Sequence, residues 1–137
     1  MAIREVIFRG KRADSGEWVE GDLLQTKYHS GHIEYQIMPQ TPVSSAYPVL
    51  SETVGQYTGL TDRNGKKIFE GDICRFKRFN DIHVGEIVFN VTTASFVMRY
   101  QSIVGAYGEK ATQKMLLSVC DDIEVIGNIH DNPELLE

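Results

Sequence analysis

Four carboxylates stand in a repeated setting, and they are the first residues to weigh for chemistry. Asp14-Ser15-Gly16-Glu17-Trp18-Val19-Glu20-Gly21-Asp22-Leu23-Leu24 parallels Asn64-Gly65-Lys66-Lys67-Ile68-Phe69-Glu70-Gly71-Asp72-Ile73-Cys74. Each copy has a turn, two large apolar residues, Glu-Gly-Asp and another apolar pair. Gathered in space, Glu20, Asp22, Glu70 and Asp72 would give paired acids for proton transfer or oxygen ligands for a cation. A structural account competes with that chemistry. Glycine takes a backbone angle other residues avoid, and the aspartate caps the turn that opens the next strand. The structural account is preferred here, with Glu70 and Asp72 the polar residues to watch.

Other signatures fail on spacing. A phosphate loop needs four residues between its glycines and a hydroxyl after the lysine. Gly59 and Gly65 have five between them, and Lys67 follows Lys66. His29-Ser30-Gly31-His32 could join Cys74 and Cys120 in a zinc site, but the two cysteines are not a close pair. An exposed histidine loop and two buried thiols fit better. Asp62, Asn64 and Glu70 lack the alternating acids of a calcium loop, and no Gly-x-Ser-x-Gly elbow occurs. The residues therefore predict no enzyme, no cofactor and no metal site.

Charge is distributed unevenly. The net charge is −5, yet the six acids from Asp121 onward face no Lys or Arg in that segment, leaving 14 bases against 13 acids elsewhere. Arg63, Lys66, Lys67, Arg75, Lys77 and Arg78 cluster in sequence. In an extended Arg75-Phe76-Lys77-Arg78-Phe79, Arg75 and Lys77 share one face while Phe76 and Arg78 share the other. Such a face could track a nucleic-acid backbone with aromatic rings stacking on bases. The plainer reading puts the phenylalanines in the core and the bases in solvent, and the pI near 5.4 favours it.

The elements that would hold these residues are mostly short strands. Residues 3–9, 18–24, 33–38, 68–79 with a break at Gly71, 85–89, 95–100, 116–120 and 123–129 read as strands. Pro39, Pro42 and Pro48 mark 39–52 as a connection. Asn64-Gly65 predicts a hairpin turn. Residues 106–115 read as one or two helical turns weakened by Gly105 and Gly108. Asn132-Pro133 starts a final helical turn, the asparagine as cap. Turn signals roughly every ten residues favour a barrel or sandwich. No apolar run approaches the ~18 residues that span a bilayer. The N-terminus lacks the features of a leader, so a mature cytoplasmic protein is expected.

Longer runs carry a family resemblance. They are Phe8-Arg9-Gly10, Trp18-Val19-Glu20-Gly21-Asp22, the stretch from Glu52 to Asp62, the stretch from Asn64 to Ile73, and Glu124 to Leu136. With these the chain resembles the YopX family, small proteins encoded mainly by bacteriophages and prophages. The resemblance implies a mainly β protein: an SH3-like β-barrel from residues 55–137, with residues 1–54 as β structure packed beside it in one compact unit. It implies a place in the cytoplasm of a bacterial host and no established activity. It marks Trp18, Gly21, Asp22, Tyr57, Gly59, Asp62, Gly65, Glu70, Gly71, Asp72, Gly127, Asn128 and Pro133 as motif residues of structural character. Two functions follow as expectations. The first is an interaction module that binds a protein partner or itself, its acidic tail pairing with a neighbouring subunit's basic cluster. The second is a small nucleic-acid binder using the six bases.

Overall fold

The computed structural model describes residues 4–40 and 45–137. Pro42, part of the proline-marked connection, lies outside the described residues. The chain divides into two units at Gly59/Leu60.

In the first unit, β1 (Phe8–Lys11) and β2 (Trp18–Lys27) pair antiparallel, and β3 (Ile33–Met38) follows on β2. The two-residue β4 (Tyr47–Pro48) closes one side, and β5 (Gly55–Thr61) lies on the other side of β1. In β3 Ile37 is fully buried, and the rest of the strand is half-buried or exposed. A single helical turn spans Ser51–Thr53, where buried Thr53 donates to the Leu50 carbonyl and accepts the Lys11 amide. Gly10 sits close to Val49 and Ile37, where an added Cβ would crowd both at 3.2–3.3 Å.

In the second unit, β6 (Lys67–Phe69) follows a turn in which Gly65 alone takes positive φ (81°), as an Asn-Gly turn allows. Five strands then form an antiparallel sheet: β7 (Asp72–Arg78), β8 (Asp81–Asn90), β9 (Ser95–Val104), β10 (Glu109–Leu116) and β11 (Asp121–Asn128). Their order is β10-β9-β8-β7-β11, so β11 returns to the first strand of the meander. Ile68, Cys74, Phe76, Ile87, Met98, Tyr100, Leu117 and Cys120 form the core on one face. Gly85 permits the close approach of β9; a Cβ there would lie 2.6 Å from the Arg99 carbonyl oxygen.

Several expectations are corrected. The sheet has two free ends, β10 and β11, and does not close into a barrel. Residues 106–115 are not helical. Gly105 and Gly108, at φ 80° and 78°, bracket a tight turn between β9 and β10. Leu117–Val119 is a helical turn, not a strand. Asn132 does not cap the final turn Pro133–Leu136; its side-chain oxygen accepts the Asn128 amide at 3.2 Å.

Candidate interaction surface

The repeated Glu-Gly-Asp letters serve two different purposes. At Gly71 the chain turns with φ 92°, its amide donates to the Ile87 carbonyl, and its carbonyl accepts the Ile129 amide. Asp72, buried, accepts the Phe69 amide at 2.8 Å and so closes the β6–β7 turn. β2 instead runs straight through Gly21, whose missing side chain makes room for the Met38 carbonyl. Asp22 is exposed and accepts the Gln40 side-chain amide. The capped-turn reading holds for the second copy only. Close approach, the other known use of a strand glycine, accounts for the first.

Among the described residues, no group of three or more His, Cys, Asp or Glu is placed to hold a metal ion. His32 stacks with Tyr28 in an exposed hairpin. Cys74 and Cys120 are both buried thiols of the second unit's core. Burial pushes the Cys74 thiol far up, and it holds Cys120 up at about 11, so neither is a ready thiolate.

The motif residues are held by backbone chemistry. Arg9 and Lys11 place their cations over the Trp18 ring at 4.8 and 5.5 Å. Tyr57 is buried and its amide donates to the Ile7 carbonyl. Gly59 has φ 90°. Asp62 is buried at 7% exposure; one oxygen accepts the Asn64 and Lys66 amides, the other the Val125 amide. Burial raises its pKa, but those three donors outweigh burial and hold the carboxyl below its ordinary value. Asn128 accepts the amides of His130 and Asp131, and Gly127 leaves room for Asn132.

The basic cluster alternates on β7 as its letters dictate. Arg75 and Lys77 are exposed, and Phe76 is buried. Because β11 pairs with β7, its acids reach those bases directly. Glu124 bridges Arg75 at 2.7 Å and Arg63 at 3.1 Å, and Lys77 lies 3.6 Å from Asp122. The acidic segment therefore neutralises Arg63, Arg75 and Lys77 within the same chain. Lys66 is exposed and Lys67 half-buried. Arg78 lies over the Phe79 ring at 4.5 Å.

Phe79 is the residue that the core reading misplaced. It is 82% exposed and holds φ 56°, an unusual angle for a bulky side chain. Phe79-Asn80-Asp81 carries the turn signal that could have revealed this. With Ile82 and Ile103, also exposed, Phe79 lines a groove of about 730 Å³ beside the Phe76–His83–Tyr100 ring cluster. Tyr107, 92% exposed, sits in the β9–β10 turn. In an antiparallel meander that turn and the β7–β8 turn lie at one end of the sheet.

Comparison with known proteins agrees with the motif runs. No curated protein matches the chain. The crystal structure of protein EF1440 from Enterococcus faecalis is similar at 25% identity, covering 97% of this chain and 99% of that one, with a TM-score of 0.48. The YopX protein family matches residues 7–137, essentially the whole chain. With that match over nearly its whole length, the chain belongs to the YopX family.

Proposed function

We propose that this protein is a non-enzymatic interaction module, an accessory protein of the kind phage and prophage genomes carry, acting in the bacterial cytoplasm. The observation that carries the reading is the apolar end of the second unit, where exposed Phe79, Ile82 and Ile103 line one groove and Tyr107 is exposed in the turn at the same end. Adjoining exposed apolar groups on a small domain mark a contact surface more often than they serve stability. A bulky residue kept at positive φ points the same way, since such strain persists where function requires it. An SH3-like character of the second unit belongs to this proposal. Four strands in a meander, one helical turn and a fifth strand returning to the first support it.

Nucleic-acid binding is the lesser reading, because Glu124 and Asp122 already occupy Arg63, Arg75 and Lys77. The test is affinity capture from cells of the native source, with nuclease added to one arm. Wild-type protein is expected to retain a partner through nuclease treatment, and Phe79→Ser with Ile103→Ser to lose it. Capture unaffected by both substitutions would defeat the proposal, and capture abolished by nuclease would favour nucleic acid. Light scattering across salt concentrations tells whether the partner is a second copy.

A further inference from the structure

The free edges of the sheets are not alike. In the first unit β4 is two residues long and ends in Pro48, which has no amide to donate. In the second unit β6 has three residues, and β11 is broken by register shifts between Asp121 and Glu124 and between Val125 and Gly127. Short strands, proline and bulges are the usual means of blunting an edge. β10 has none of these three; it carries lysines, a further edge device, which repel like-charged strands but leave the edge open to an acidic one. Its eight residues, Glu109–Leu116, pair with β9 in unbroken register, contain no Gly or Pro, and have no strand on the other side among the described residues. That is ~26 Å of open backbone.

The side chains beside that edge say what would fit it. Lys110, Thr112 and Lys114 are exposed, while Ala111, Gln113 and Met115 are half-buried on the opposite face. Lys110 and Lys114 have no ion-pair partner among the described residues, unlike Arg99 beside them, which holds Glu86 at 2.7 Å. Lys110 and Thr112 also form the rim of a groove of about 630 Å³ that reaches Ile103, Leu135 and Leu136.

We propose that β10 is a strand-addition site for an extended acidic segment of a partner protein, carrying an acid at both ends of a five-residue stretch and a large apolar residue midway. The acids meet Lys110 and Lys114, and the central residue passes over the small Thr112 toward Ile103, Leu135 and Leu136. Backbone pairing supplies affinity and the alternate side chains supply choice of partner. A second copy of this chain is a poor occupant. Antiparallel pairing of two β10 strands centred on Thr112 sets Lys110 against Lys114 twice, and like charges in opposed positions repel.

This inference rests on the interaction-module reading and shares Ile103 with its surface, but Lys110 and Phe79 line one groove each, so variants at Lys110 and Lys114 or at Phe79 let the two fail separately. The probe is the fluorescently labelled peptide Glu-Val-Phe-Val-Glu-Val, compared with Lys-Val-Phe-Val-Lys-Val, on the full chain. Wild type is expected to prefer the acidic peptide. Lys110→Glu with Lys114→Glu, both at exposed positions, should weaken that peptide by about tenfold and favour the basic one. Phe79→Ser should leave peptide binding unchanged, even where it abolishes partner capture. Absence of acidic-peptide binding by wild type, or affinity indifferent to the double charge reversal, would overturn the proposal. Greater loss in Phe79→Ser than in the lysine variant would overturn it too, by placing the peptide at the hairpin end.

Discussion

The Asp62 carboxylate accepts the Val125 amide at 3.0 Å while its other oxygen gathers the Asn64 and Lys66 amides at 2.9 Å each. One side chain thereby fixes a local turn and ties it to β11, a strand distant in sequence. Arg63, carried by the same turn, donates its amide to the Ile123 carbonyl at 2.9 Å. The ion pair between Arg63 and Glu124 is a consequence of this clamp and not its cause.

Asp62→Ala is therefore expected to destabilise the second unit by about 1–3 kcal/mol, because three part-buried amides lose a charged acceptor. Asp62→Asn keeps an acceptor oxygen and should cost less. The pH dependence has a definite sign. A carboxyl held below its ordinary value when folded binds fewer protons than when unfolded, so its contribution is fully present above the unfolded value near 3.8. It is lost as pH falls through the lower folded value. Urea unfolding of wild type and Asp62→Asn from pH 3 to pH 7, followed by circular dichroism, should show a shallower acid decline in the variant. Parallel declines would mean that the clamp makes no net contribution.

Gly21 and Gly71 should answer differently to the same substitution. Gly71→Ala places a Cβ at φ 92°, a strain of about 1–2 kcal/mol. Gly21→Ala drives a Cβ into the Met38 carbonyl, and backbone on both strands must separate to admit it. The larger loss is expected for Gly21→Ala, with β2–β3 amides losing exchange protection first. Trp18, the single tryptophan and a β2 residue, reports that change by fluorescence. Equal losses at the two glycines would contradict the separate roles assigned to them.

These twin segments also show where sequence reading reaches its limit. β3 was legible to its bounds, Ile33–Met38, because its letters alternate apolar and polar over a short run. The Asn64-Gly65 turn was legible because it is local. β10 was not, since Glu109-Lys110-Ala111-Thr112-Gln113-Lys114 lies at an edge, half in solvent, where little selects for apolar alternation. Its letters then resemble an exposed helix. The neutralisation of Arg63 and Arg75 was equally hidden, because it depends on β11 returning to β7. Charge counting can show an acidic segment and a basic one but not that they are neighbours.

Removing the acids should expose what they cover. Glu124 is 20% exposed while its partners Arg63 and Arg75 are about half exposed, so the bridge itself is worth at most ~1 kcal/mol. Glu124→Gln with Asp122→Asn should thus leave the unfolding midpoint nearly unchanged. It should instead raise retention on heparin, eluting at distinctly higher salt than wild type, since Arg63, Arg75 and Lys77 would then be available to a polyanion. Unchanged elution would show that the acids do not mask the cluster.

Phe79 sets stability against contact. Its φ of 56° costs a bulky residue about 1 kcal/mol or more, and at 82% exposure the ring recovers little by burial. Arg78 over the ring returns part of this, roughly 0.5–1 kcal/mol for an exposed pair. Asparagine tolerates the left-handed region better than phenylalanine does. Phe79→Asn is therefore expected to unfold at equal or slightly higher urea than wild type while losing partner capture. Where a substitution gains stability and forfeits binding, the original residue is kept for the contact. If Phe79→Asn instead destabilises by more than about 1 kcal/mol, the ring supports the β7–β8 turn, and the apolar end loses its central residue as a docking surface.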